Sequence, residues 1–339
     1  MKVQNNISLK EFNSFKIDAK ADLFINIATI NDIIGILESG LLEEKKYFIL
    51  GGGSNVLFAS DYNGLIINMG IKGMHIMESN DDYIVLEIGA GEDWHNFVKT
   101  CVKSQYYGIE NLALIPGKVG SAPVQNIGAY GMEQQDCFVS LKAVNLKTKE
   151  FMELSKDECR FGYRNSIFKN DLKDNVLITS VRYQLSRLKE FNFSYKELEQ
   201  EIQKFPVKEI DLQYVFDTVC RLRTSKLPNP DLIGSAGSFF KNPVISDENL
   251  ENLKSEFPDI KYYKSDSGKW KISAGWLIEK CGWKGKRFGD AGVYENHALV
   301  LVNYGNAKGS DILSLAMKIQ DSVFERFGIK IEPEVVIVQ

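Results

Sequence analysis

The sequence predicts an α+β protein with more than one domain. Three observations carry this. The length, 339 residues, suggests two domains or three small ones at about 150 residues each. Short strand-like runs alternate with amphipathic helices in the first third. The last third pairs a strand, a long helix and a closing strand. Apolar residues make up 44% of the chain, enough for ordinary packed cores, and no internal repeat or low-complexity tract is evident.

The elements follow in order. Leu23–Ile27 reads as a strand. Thr29, three residues before Asp32, predicts a capping box for a short helix through Leu37. Tyr47–Leu50 is a short apolar run that ends in Gly51-Gly52-Gly53-Ser54-Asn55. Leu65–Met69 and Tyr83–Ile88 read as further strands. Over Asp93–Ser104, Trp94, Phe97, Val98, Cys101 and Val102 recur at helical spacing, with Gly108 beyond the end. His95 lies off that stripe and reads as a solvated residue. Strands return at 138–147 and 176–185. Leu212–Leu222 reads as a helix that stops before Pro228, and a domain boundary is expected near Pro228 and Pro230. Ala298–Val302 is a strand. Ser310–Phe327 is a helix with Ile312, Leu315, Ala316, Ile319 and Val323 on one face and Gly328 at its C′ position. Ile329–Val338 is expected as the final strand.

Composition excludes several classes. The formal net charge is −4, without the basic surplus of a nucleic-acid binder. Cys101, Cys137, Cys159, Cys220 and Cys281 are odd in number and form no C-x-x-C pair, which argues against a disulfide framework or a zinc ribbon. Reduced thiols in a cytoplasmic protein are the expectation. No metal site is expected from His75, His95 and His297, which are far apart. No signal peptide and no membrane span are expected. A monomer is the default.

Two segments carry chemistry. Gly51–Asn55 follows a strand and exposes backbone, so a pyrophosphate can approach its N–H groups; Ser54 and Asn55 add side-chain donors. The dinucleotide fingerprint G-x-G-x-x-G fails at Val56, and no Walker pattern occurs. A plain tight turn is the alternative. The second segment, Ile115-Pro116-Gly117-Lys118-Val119-Gly120-Ser121-Ala122-Pro123, continues through Gly128 to Gly131. It is nearly uncharged and rich in small side chains, which suits a backbone wrapped around a flat polar ligand such as an isoalloxazine ring. A long structural loop is the alternative, uncommon in a compact domain unless functional.

In this order, the two segments resemble the UDP-N-acetylenolpyruvoylglucosamine reductases. The resemblance continues through Tyr163-Arg164-Asn165-Ser166-Ile167-Phe168, Gly234-Ser235-Ala236-Gly237-Ser238-Phe239-Phe240-Lys241-Asn242-Pro243, Ser273-Ala274-Gly275-Trp276-Leu277-Ile278 and Ile331-Glu332-Pro333-Glu334-Val335. It spans roughly residues 13 to 338. It implies an FAD-binding domain of the vanillyl-alcohol-oxidase type, built of two α+β lobes, plus a C-terminal α+β substrate-binding domain. On that basis residues 1–70 form the first lobe, with 329–339 packing back on it. Residues 71–222 form the second lobe and 223–328 the substrate domain. Tyr195 resembles a loop tyrosine of the type I subgroup, which closes over the UDP-sugar.

The implied activity is reduction of the enolpyruvyl group of UDP-N-acetylglucosamine enolpyruvate, with FAD as cofactor and NADPH as reductant, in peptidoglycan synthesis. By motif position Arg164 is the catalytic arginine, Ser238 the proton donor and Glu334 the catalytic glutamate. If 329–338 is a strand, Glu332 shares a face with Glu334, and geometry does not choose between them. The resemblance points to Gly51, Gly52, Gly53, Ser54, Asn55, Gly117, Gly120, Ser121, Pro123 and Gly128 for FAD. It points to Tyr195, Arg223, Lys226, Asn242 and His297 for substrate, with a structural role for His297 equally open. Two rivals stand beside this reading. One is an FAD-linked oxidase of a hydroxylated small molecule on the same fold; the other is a non-catalytic flavin-binding regulator.

Overall fold

The computed structural model describes residues 1–204, 206, 210–230, 232–264 and 268–339. The chain folds into two compact units. The first comprises 1–7, 21–52 and 63–223; the second comprises 8–20, 53–62 and 224–339. The division falls between Gly52 and Gly53, inside the first glycine-rich segment.

The first unit carries two larger sheets and, among the described residues, a short two-stranded pairing of Gly128–Ala129 with Met132–Glu133. One has the strand order Val3–Ser8, Lys20–Ile27, Tyr62–Met69, Tyr47–Leu50, and its last pair is parallel with Tyr47 opposite Leu65. The other is antiparallel, in the order Phe151–Ser155, Phe138–Asn145, Val176–Ser186, Tyr83–Gly89, Met74–Ser79. Thr29 and Asp32 form the capping box of the helix Ile30–Glu38. Asp93 caps the helix Trp94–Lys103 by accepting the Asn96 N–H at 2.8 Å. That helix buries the stripe read from its spacing, Trp94, Phe97, Val98, Cys101 and Val102, in the main core of the unit. Each such side chain removed from water stabilises the fold by about 1.5–3 kcal/mol.

The second unit contains an antiparallel sheet in the order Gly234–Ser238, Val300–Asn303, Ala291–Val293, Arg287–Phe288. The helix Gly309–Phe327 buries Ile312, Leu315, Ala316, Ile319 and Val323, and Gly328 ends it in the left-handed conformation at φ 64°. The expected strand 329–338 is shorter than its apolar pattern suggests. The strand proper is Val336–Val338, which pairs in parallel with Val56–Phe58. Residues Glu332 and Glu334 instead spend backbone hydrogen bonds on another segment: Lys241 N donates to Glu332 O at 2.9 Å and Glu334 N to Phe239 O at 2.8 Å. These two bonds flank an antiparallel bridge between Pro333 and Phe240, so local strand pairing persists around the two glutamates. Glu332 is exposed and Glu334 half-buried, so their settings differ.

Candidate functional site

In the first unit the two glycine-rich segments meet, although 65 residues separate Gly52 from Gly117. A Cβ on Gly52 would lie 2.8 Å from Gly117 Cα, and one on Gly51 would lie 2.0 Å from Ser121 Oγ. The glycines thus serve loop-to-loop packing, a use that the sequence alone did not reveal. The second loop is fixed by its own hydrogen bonds. Trp94 N donates to Gly117 O at 3.0 Å, Val119 N to Glu92 O at 2.9 Å and Gly120 N to Ala90 O at 2.9 Å. Several of its N–H groups are therefore already satisfied by protein. Lys118 Nζ donates to Met69 O at 2.5 Å, and burial holds its ammonium below the usual lysine range. Backbone meets backbone between Gly52 and Gly117 with no side chain between them. Such a surface fits a flat heteroaromatic cofactor that is recognised through main-chain groups, so the residues present are compatible with FAD.

Arg164 occupies a tight turn closed by Gly162 and Asn165, whose backbones exchange hydrogen bonds at 3.1 and 3.0 Å. Its φ is +53°, uncommon for a residue with a side chain. The turn is tied to the second glycine-rich segment. Arg164 Nη2 donates to Gly128 O at 3.0 Å, Ser166 Oγ to Val124 O at 2.6 Å and Asn126 Nδ2 to Gly162 O at 3.2 Å. Arg223, on the helix Leu212–Lys226, is half-buried with its Nε shielded and without a hydrogen-bond partner among the described residues. Burial pulls its guanidinium below the usual arginine value. Tyr130 opposes that shift and the charge of Arg164 adds to it. Two cations therefore sit close enough to feel each other.

Tyr195 is 41% exposed and packs edge-on against Tyr130, ring centroids 5.2 Å apart. Burial pushes the Tyr130 hydroxyl up to about 12, and Arg223 opposes the shift. Asn111, fully buried, donates from Nδ2 to Tyr130 O at 3.0 Å and Asn192 O at 2.8 Å, clamping the two tyrosine-bearing loops. Sequence reasoning missed Tyr130 and Asn111. The available signal was Tyr130-Gly131 inside the small-residue segment. His95, expected to be solvated, is half-buried and accepts a backbone N–H from Leu114 at 3.1 Å.

The second unit holds Ser238, Glu334, Lys226 and His297. Gly237, at φ +70°, precedes Ser238 where the pairing with Val300–Asn303 shifts register, a bulge that re-aims the strand end. Ser238 then stands opposite Val300, and Phe239 bonds both to Leu299, through its N–H, and to Glu334, through its carbonyl. Asn55 Nδ2 donates to Glu334 O at 3.2 Å, which links Asn55 to the glutamate's backbone. His297 Nδ1 accepts the Leu299 N–H at 3.3 Å; burial keeps the imidazole below its ordinary value, and the charge of Lys226 adds to that. Asn242 Oδ1 accepts the Ala274 N–H at 3.0 Å at the start of the helix Ala274–Lys280, so half of its amide serves structure. Gly53, at φ +61°, leaves no room for a Cβ against Phe12 O at 2.0 Å.

Residues 228–338 match the family profile described as the UDP-N-acetylenolpyruvoylglucosamine reductase C-terminal domain. Residues 21–154 match the profile of an FAD binding domain. A UDP-N-acetylenolpyruvoylglucosamine reductase of Flavobacterium johnsoniae is 48% identical over 99% of both chains. One from Bacteroides fragilis is 41% identical over 98% of this chain and 99% of its own. A crystal structure of a UDP-N-acetylenolpyruvylglucosamine reductase from Thermus caldophilus covers both chains fully, with a TM-score of 0.69 at 23% identity, a likeness in fold. The chain combines an FAD-binding domain with the C-terminal domain of these reductases, and it belongs to the UDP-N-acetylenolpyruvoylglucosamine reductase family.

Proposed function

We propose that the chain reduces the enolpyruvyl group of UDP-N-acetylglucosamine enolpyruvate to give UDP-N-acetylmuramate, with NADPH as reductant. The observation that carries this is Arg164, held at φ +53° and bonded to Gly128 O, with its charge felt at the buried guanidinium of Arg223. Two guanidiniums that raise each other's electrostatic cost, one of them bonded to a glycine-rich loop, suit an anionic ligand, and the substrate offers both a carboxylate and a diphosphate. Bound FAD supplies the hydride chemistry between NADPH and the enol ether. Gly51–Asn55, Gly117, Gly120, Ser121, Pro123 and Gly128 would hold it.

Arg164 binds the enolpyruvyl carboxylate and stabilises the negative charge that develops there during reduction. Ser238 gives its hydroxyl proton to C2, a step for which a positioned donor is typically worth ~100- to 10,000-fold. Glu334 hydrogen-bonds the enol system. Its half-buried setting beside Phe239, against the exposed Glu332, supports choosing it. Lys226, Arg223, Tyr195 and Asn242 hold the UDP diphosphate and sugar, and the charge of Lys226 helps to keep His297 neutral. The nucleotide substrates, NADPH and a UDP-sugar, support a cytoplasmic setting for this work. Among the described residues no helix is long and apolar enough to cross a membrane.

The test is anaerobic. NADPH bleaches the bound flavin, and the enolpyruvyl UDP-sugar restores its colour. Recolouring by oxygen, with indifference to that sugar, would establish the oxidase reading instead.

A further inference from the structure

The helix Trp94–Lys103 begins with two residues that grip one short uncharged segment, Leu112–Gly117. Trp94 Nε1 donates to Leu112 O at 3.0 Å and Trp94 N to Gly117 O at 3.0 Å. Between these points His95 Nδ1 accepts the Leu114 N–H at 3.1 Å. The imidazole lies flat on Phe216, centroids 5.5 Å apart and planes 9° from parallel, so its orientation is fixed by the helix that also carries Arg223. Leu114 has φ +55°, a conformation that costs a side-chain-bearing residue energy and persists only where neighbours impose it. Three residues later come Gly117 and the loop packed against Gly52.

We propose that His95 is a positioning residue for the flavin loop: as a neutral imidazole it accepts the Leu114 N–H, holds Leu114 left-handed, and so fixes where Gly117–Pro123 stand. The inference rests on the assignment of that loop to FAD. An imidazole that accepts at Nδ1 carries its proton on Nε2; a second proton turns the acceptor into a donor facing another donor. The charged groups around it are Asp93 and Lys99 on its own element and Arg223 on the helix that carries Phe216. Burial holds His95 below the ordinary imidazole value; Asp93 opposes this, while Lys99 and Arg223 reinforce it. A depressed value keeps the neutral form. The contribution of His95 is therefore complete above about pH 6.5 and is lost as pH falls through its lower folded value.

The experiment titrates FAD into apoprotein by flavin fluorescence between pH 5 and 8, with circular dichroism to confirm folding. Wild-type affinity should fall roughly 3- to 10-fold toward pH 5, the worth of one hydrogen bond. His95→Asn, whose Oδ1 can replace Nδ1 as acceptor, should bind FAD near wild-type strength at pH 7.5 and lose the pH dependence. His95→Phe keeps the stacking without the acceptor and should bind weakly at every pH. Equal pH profiles in wild type and His95→Asn would overturn the proposal, even if His95→Phe fails to fold. Gly120→Ala, whose Cβ would meet Ala90 Cβ at 2.5 Å, separates the two levels. If it weakens FAD binding while a folded His95→Phe does not, His95 has no positioning role. If it leaves FAD binding unchanged, the loop assignment itself fails and the proposal with it.

Discussion

Replacing Gly52 by alanine places a methyl carbon 2.8 Å from Gly117 Cα, 3.2 Å from Gly117 C and 3.3 Å from Lys118 N. Carbon atoms pack favourably at about 3.5–4.0 Å, so one loop must retreat by roughly 1 Å. The second loop resists, because Gly117 O, Val119 N and Gly120 N are bonded to Trp94, Glu92 and Ala90. Overpacking of this kind costs about 1–3 kcal/mol. If the loops must keep their spacing to bind FAD, that cost appears as a roughly 5- to 150-fold weaker dissociation constant. The assay is reconstitution of apoprotein with FAD, followed by fluorescence quenching, with the apoprotein melting temperature measured separately. A flavin affinity within twofold of wild type would refute the reasoning. So would a loss of affinity fully matched by a collapse of the apoprotein.

Other outcomes follow from the same geometry. Ser238→Ala should leave flavin reduction by NADPH intact and slow the enolpyruvyl half-reaction by ~100- to 10,000-fold, as read by anaerobic stopped flow; normal turnover removes the serine from the mechanism. Arg164→Lys keeps a charge but loses the planar fork bonded to Gly128 O, and kcat/KM should drop about 100-fold in steady-state assays. Asn303 is buried; it donates to Phe15 O and accepts from Gly305 N and Ala307 N, so Asn303→Ala should cost about 1–3 kcal/mol in urea unfolding. Burial raises the Glu87 pKa, but its bonds to Arg182 at 2.6 Å and Lys142 at 3.1 Å outweigh this and leave the carboxyl below its ordinary value. Its stabilisation is present above about pH 4.5 and disappears as pH falls through the folded value, so the melting-temperature gap between wild type and Glu87→Gln should close in acid.

Much of the fold was legible because its signals are local. The capping box at Thr29 and Asp32, the stripe from Trp94 to Val102 and the left-handed Gly328 are each set by residues a few positions apart. The final strand was overestimated because apolar content in 329–335 reports burial, and burial does not specify which backbone partner is taken. His95 was misjudged for a related reason: an off-stripe position on a helix says nothing about a loop that returns nineteen residues later to donate an N–H.

The sequence by itself determined the family motifs, the helices and strands with clear periodicity, and the glycines where side chains have no room. Only the tertiary structure decided what those glycines are for, since Gly52 and Gly117 are distant in the chain and meet through folding. It alone showed Glu334 half-buried and Glu332 exposed, and it alone showed Arg164 at φ +53° bonded to Gly128 O, with its charge felt at Arg223. The physical reason is range. Capping and periodicity act within a turn or two, whereas close packing and the interaction of charges depend on which distant segments the fold makes neighbours.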